Sequence, residues 1–369
     1  MRWEATMTLL KKILLLILIG LLFWSCDPIS DTPEIPAIDN GPEIEGSWPK
    51  WGSYESAGWS RERIDTAKTY FNSLRSASVM VIYQGRVLIC WGSYQSNYYT
   101  HSVRKSFMSA VYGIYVDRGI IDLSKTMSQL GIDDEPPLTE DEKRATILHL
   151  LQARSGVYHT AAAETEGMHA YKPERGTYGP GEFWCYNNWD FNALATIFDQ
   201  ESGSDFFTAL QRDLNSRLGM EDYIPAENQY SYQLDRSIHP AYGFRISTRD
   251  AARFGQLFLQ LGIWNGERIL SADWIERSTK ALSDSSAYIP GTHYGYMWWC
   301  FPAGYGSDSG LSDLSRYRSY AALGAYGQVI QVIPELDLVY VHRVNSFRGD
   351  NVSLGDVHIL LDRILAAKN

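Results

Sequence analysis

The chain is poor in the residues that build metal and redox sites. Its 369 residues hold only four cysteines and eight histidines. No C-x-x-C pair occurs, and the histidines show no metal-ligand spacing, so neither a bound metal nor a cofactor is expected. Neither a G-x-S-x-G elbow nor an H-E-x-x-H helix is present, which removes two common hydrolase designs. Positive charge is also scarce: 33 Lys and Arg face 43 Asp and Glu, a formal charge of −10, which argues against a nucleic-acid partner. There are no tandem repeats. The one long apolar run, Ile13–Phe23 after Lys11 and Lys12, is too short to span a bilayer comfortably but suits the core of a signal peptide.

What is abundant is aromatic: 24 Tyr and 12 Trp. That content fits either ordinary packing or an aromatic-lined cleft. The length allows one large domain or two lobes with a real core.

The most telling segment is His101-Ser102-Val103-Arg104-Lys105-Ser106-Phe107-Met108-Ser109-Ala110. Phe107, Ala110, Val111, Ile114 and Val116 recur at roughly helical spacing up to a stop at Gly119. On a helix, positions three apart share a face, so the Lys105 amine can reach the Ser102 hydroxyl. A serine alcohol is a weak nucleophile until a base takes its proton. Lysine serves as that base only where burial and nearby positive charge make its proton easy to lose. Taken alone, the tetrad favours an ordinary helix start with an N-cap serine and a solvated lysine. A second S-x-x-K, Ser47-Trp48-Pro49-Lys50, has no helical run behind it.

Along the chain the patterns predict a helix over 61–75 and a hairpin of Val79–Tyr83 and Val87–Trp91 turning at Gln84-Gly85. Further helices are expected over 139–152 and 190–201, and from Thr248. Strands follow at Tyr320–Leu323, Val329–Ile333 and Leu338–Val341, then an amphipathic helix over 354–367. Residues 157–183 read as a long Gly- and Pro-rich loop, more often functional than idle at that length.

Ser102/Lys105, then Tyr186-Asn187-Asn188, resemble the S-x-x-K and Y-x-N marks of the serine β-lactamase and penicillin-binding-protein superfamily. Leu150–Val157, Ser247–Gly255, Gly262–Gly266 and Tyr294–Trp299 resemble further marks of that superfamily, in its order. The resemblance covers most of residues 55–367. It implies an α/β (α+β) fold of the β-lactamase/transpeptidase kind. In that fold an antiparallel sheet is flanked by N- and C-terminal helices, with an inserted all-helical lobe. The sheet lobe is expected at about 55–95 and 290–369, and the helical lobe at about 100–285, within a domain of 51–369.

The superfamily's third mark, K-T-G, is missing. The equivalent strand is read as Gly324-Ala325-Tyr326-Gly327-Gln328, with Ala325 where β-lactamases carry the cation that holds the antibiotic's carboxylate. This G-x-x-G-Q form resembles the branch containing 6-aminohexanoate-dimer hydrolase and related esterases.

The resemblance therefore implies acyl transfer to a small-molecule or peptide-like substrate. Ser102 is the nucleophile and Lys105 with Tyr186 relays protons, cationic Lys105 bringing the phenol into range. Asn188 orients Lys105 or substrate, and the Ser102 and Gln328 backbone N–H groups form the oxyanion hole beside Gly327 and Tyr326. Residues 157–183 and Trp298-Trp299 are expected to shape the acyl pocket. A peptidoglycan DD-peptidase, a β-lactamase and an inactive binding protein remain as alternatives.

Phe23-Trp24-Ser25-Cys26 resembles a bacterial lipoprotein cleavage box. Residues 1–25 are then a signal peptide, Cys26 the lipid attachment site and 26–50 a Pro-rich acidic tether. The protein is expected in the bacterial cell envelope, tethered to a membrane. Removing Cys26 leaves Cys90, Cys185 and Cys300, which cannot all pair within the chain.

Overall fold

A computed structural model describes residues 48–369. The signal peptide, Cys26 and nearly all of the tether lie outside the described residues. The tether's last residues lie against the first hairpin: Trp48 Nε1 donates to Gly85 O at 3.0 Å, and Lys50 bridges Val87.

Five helices and eight strands frame the site. Helix α1 (Arg61–Ser73) starts at Ser60, whose hydroxyl accepts from Arg63 N. Strands β1 (Ser78–Tyr83) and β2 (Arg86–Gly92) form the expected hairpin. Gln84 and Gly85 both have positive φ (50° and 70°), as a two-residue hairpin turn requires. Helices α2 (Arg104–Asp117), α3 (Asn188–Ser202) and α4 (Thr248–Leu259) follow. Then come β3 (Ser283–Asp284), β4 (His293–Tyr294), β5 (Trp299–Phe301), β6 (Ser319–Gly324), β7 (Gln328–Ile333), β8 (Leu338–Arg343) and helix α5 (Leu354–Leu365).

These strands form one antiparallel sheet in the order β2-β1-β8-β7-β6-β5-β4-β3, so the first hairpin pairs through β1 with the last strand. Period-two alternation sorts its side chains to two cores. Val79, Val81, Leu338 and Tyr340 face one core with α1 and α5. Met80, Ile82, Val339 and Val341 face the other with α2, α3 and α4.

Two expectations are corrected, and one hairpin had drawn none. Helix α4 lies directly on the sheet rather than in a separate helical lobe: Gly255 is where a Cβ would strike Val339 and Ile330. The helix expected over 139–152 is two short turns, Glu142–Arg144 and Ile147–Leu151. Thr146 breaks the run by taking extended backbone and capping the second turn through His149. The hairpin of Gln229–Gln233 and Ser237–Gly243 was not legible as strand, because its outer strand is largely exposed and carries little apolar alternation. Cys90, Cys185 and Cys300 are free, and burial pushes each thiol up to about 12.

Candidate active site

Ser102 sits in a single 3-10 turn, His101–Val103, that runs straight into α2. His101 has φ +47°, a conformation an L residue adopts only when its surroundings hold it there. They do so on several sides. His101 Nε2 lies 2.8 Å from Ser346 Oγ, and its ring meets those of Tyr99 and Tyr326 at 4.9 Å each. One turn on, Ser106 Oγ donates to Met297 O at 2.7 Å, tying α2 to the Tyr294–Trp299 segment.

The helix brings Lys105 Nζ to 2.9 Å from Ser102 Oγ, and α3's leading segment brings Tyr186 OH to 2.7 Å from the same nitrogen. Lys105 and Tyr186 are buried, whereas Ser102 is half-exposed and open to a substrate. The lysine nitrogen also lies over the rings of Tyr186 (4.2 Å) and Phe191 (4.6 Å). No carboxylate forms an ion pair with it among the described residues. Burial, and after it the charge of Arg104, holds the Lys105 amine well below its ordinary value. Burial also raises the Tyr186 phenol. Both shifts disfavour the charged forms, so the site works against the cationic lysine expected to bring the phenol into range.

Asn188 makes no hydrogen bond to Lys105, and its buried Oδ1 has no partner. Its Nδ2 donates to Ala163 O at 2.7 Å, and the neighbouring Asn192 donates to Ala162 O at 3.0 Å, so both hold the 157–183 loop against α3. The close approach expected of Gly327 is made by Gly324 instead. A Cβ on Gly324 would lie 2.6 Å from Thr100 O and 3.2 Å from Ser102 N. Gly327 packs under Val344 and Val352. Gln328 pairs with Gly324 across the ladder and spends its side chain on Arg343 Nε (2.8 Å) and Val344 O (2.8 Å). Tyr326 is exposed beside His101. No residue from Ser319 to Gln328 is a cation, so the missing positive charge does not depend on how this strand is aligned.

Aromatic rings wall the site. Tyr186 lies within 5.1 to 5.9 Å of Tyr288, Trp299 and Tyr294, and exposed Tyr171 of the long loop reaches Tyr288 at 5.5 Å. Trp298 does not belong to that wall: it is fully buried, packed on Phe254 and Phe258. His101 and Arg104 drew no functional expectation. Their only signal in the sequence was adjacency to Ser102 and Lys105.

An antiparallel sheet with helices on both faces, and a serine, lysine and tyrosine meeting at the start of one helix, define the class. Residues 70–362 match the Beta-lactamase family, and the chain belongs to it. It is 29% identical over 181 residues to the 6-aminohexanoate-dimer hydrolase of Paenarthrobacter ureafaciens, an alignment covering 45% of this chain and only 40% of that relative. It is 24% identical over 326 residues to an uncharacterised protein of Alkalihalophilus pseudofirmus, covering 78% and 90% of the two chains. Among solved structures, a penicillin-binding protein homologue from Pyrococcus abyssi superposes with a TM-score of 0.60 at 17% identity, covering 83% of this chain and 77% of that one. A class C β-lactamase also superposes at 0.60, with 15% identity, 83% and 98%. These likenesses place the protein in the β-lactamase family.

Proposed function

We propose that the protein is a serine acyl hydrolase of ester or amide substrates working through a Ser102 acyl-enzyme. The observation that carries this reading is the placement of one buried amine, its charged form disfavoured by burial, within hydrogen-bond reach of both a half-exposed serine and a tyrosine.

In the first half-reaction Ser102 Oγ bonds to the substrate's carbonyl carbon as its proton passes to Lys105 Nζ. The tetrahedral oxyanion is held by the Ser102 N–H. The second donor assigned is the Ala325 N–H, on the peptide that follows Gly324, replacing the Gln328 amide. Collapse breaks the bond to the leaving oxygen or nitrogen, which receives a proton from the Tyr186 hydroxyl, itself reprotonated from Lys105. Water then attacks the acyl-enzyme ester and gives a proton to Lys105; collapse breaks the bond to Ser102 Oγ, which takes that proton from Lys105, freeing the acid and regenerating the serine and the amine.

Because strand β6 and its turn bring no cation, an uncharged acyl group fits this reading better than a β-lactam carboxylate. The lipid anchor at Cys26 and an envelope location are part of the same proposal. They rest on the sequence of residues 11–26 and predict that a tagged fatty acid labels the wild type and not C26A. Among the described residues no helix is long and apolar enough to cross a membrane.

The deciding experiment is intact-mass analysis after exposure to an activated ester. An acyl adduct on the wild type that is absent from S102A supports the reading. A folded wild type that gains no adduct overturns it.

A further inference from the structure

Arg104 is buried at 5% exposure on the first turn of α2, and nothing neutralises it. One guanidinium nitrogen donates to Asn192 Oδ1 at 3.4 Å, the other terminal nitrogen has no partner, and the group lies 4.2 Å over the ring of Tyr242. No carboxylate forms an ion pair with it among the described residues. A buried cation left this way is costly, and a hydrophobic side chain of similar volume would pack there more cheaply. Something other than stability keeps it.

Its neighbours give the reason. We propose that Arg104 is a positioning residue for this site: its uncompensated charge, one residue before Lys105, repels a proton from the lysine amine and keeps that amine ready as the base. This rests on the acyl-hydrolase reading above and deepens it by adding a fixed charge to the burial that already disfavours the charged amine. Burial alone also disfavours the charged amine, but substrate binding and acylation change the hydration of the site, while a fixed charge acts throughout.

The other titratable groups around Lys105 do not take over this role. On α3, Asp190 is fully buried and raised to about 8 by desolvation, so it is largely neutral below that pH. Burial lowers His101, on the turn before α2, to about 4, leaving it neutral. Tyr186, from the segment before α3, and Tyr242, from the Ser237–Gly243 strand, are raised by burial and stay neutral, as do Tyr288 and Tyr294 from the far wall. Lys172 is paired with Glu164. Arg343 from β8 is turned to Gln328 and Tyr98 O. Arg104 is the charge whose effect reaches His101, Lys105 and Tyr186 alike.

The test compares wild type, R104Q and R104K by two readouts. One is the pH profile of Ser102 acylation by p-nitrophenyl butyrate. The other is a 13C NMR titration of the Lys105 Cε in lysine-labelled protein, assigned with K105R. In R104Q the acid limb and the NMR midpoint are expected to rise together by at least about one pH unit, a tenfold rate loss on that limb. R104K, which keeps the charge, is expected to restore both. A merely structural role would lower rates at all pH values without moving either midpoint. Unmoved midpoints in R104Q overturn the proposal and leave the serine mechanism standing. A Lys105 already protonated at pH 7 in the wild type overturns it without any variant folding. Failure to form the Ser102 adduct overturns the hydrolase reading instead, while the NMR titration still decides what Arg104 does to Lys105.

Discussion

At the start of α4, Arg249 and Arg253 are buried among carboxylates. Arg249 meets Asp222 through two nitrogens at 2.6 Å and Glu221 at 2.8 Å, and Arg253 meets Asp250 at 2.9 Å and Glu221 as well. Asp250 also accepts the backbone N–H groups of Glu221 and Asp222 at 2.8 Å each. Around Ser102, Arg104, Lys105 and Arg343 are just as buried but meet only hydroxyls, amides, carbonyls and ring faces. The first arrangement matches each buried charge and ties a loop to a helix. The second leaves positive charge unmatched, which raises the cost of adding a proton anywhere nearby. Burial lowers even Arg343 to about 9. The same residue types thus brace the fold in one place and set proton affinity in the other, and the difference is the presence of carboxylates.

The comparison breaks first at Ser102. S102A and K105A are each expected to lower turnover of an activated ester by about a thousandfold or more, with Y186F about a hundredfold down. Circular dichroism and the melting temperature should stay close to wild type, since none of the three anchors a charge pair. Retained turnover in S102A would sink the mechanism.

On the paired side the effect reverses. D250A leaves Arg253 without its i,i+3 partner and two backbone amides without their acceptor, and is expected to cost about 3–5 kcal/mol of unfolding free energy in urea titrations. The folded fraction should still acylate at Ser102. A loss under ~1 kcal/mol would show that the carboxylates at α4 do not brace this corner.

A third expectation concerns ligands. Benzylpenicillin should leave Ser102 unlabelled under conditions where an activated ester labels it fully, because β6 and the turn to Gln328 carry no cation for its carboxylate. Stoichiometric labelling by penicillin would mean that another cation, with Arg104 the nearest in sequence, reaches the bound acid.

The smallest expected effect is on stability against pH. Asp190, raised to about 8 by burial, binds a proton in the folded state that the unfolded chain releases near pH ~4. The folded state holds more protons across that window, so this group's contribution falls as pH rises from about 4 to 8. D190N should flatten that part of the curve in melting experiments run across the window. An unchanged slope would mean that the Ser155 and Asn187 hydrogen bonds already hold Asp190 charged.

Elements whose pattern is local were legible in the chain. Ser102 and Lys105 lie one helical turn apart, so backbone geometry alone brings them together once a helix forms over an apolar run. Strands β1, β2, β6, β7 and β8 alternate or run apolar between turn residues, and Ser60, Ser247 and Ser353 cap the helices they precede. The third motif was legible as a strand and turn but not in register. Both Gly324 and Gly327 precede small or polar residues, and only the packing of β6 against the Thr100–Ser102 backbone shows which glycine must lack a Cβ. Asn188 was equally ambiguous, since an asparagine at a helix start can face a catalytic lysine or a loop carbonyl with the same sequence around it.

The sequence by itself determined the pairing of Ser102 with Lys105, the order of the superfamily's marks and the absence of a cation near Ala325, because each depends on residue type and short spacing. Tertiary structure alone decided that Tyr186 arrives 2.7 Å from Lys105, that Gly324 rather than Gly327 meets Ser102, and that Arg104 is buried with no carboxylate in reach. Proton affinity at Lys105 belongs to that second set. It depends on which charges and how much water surround the amine, and those are contributed by segments from Tyr186 to Tyr294 that no local pattern links to residue 105.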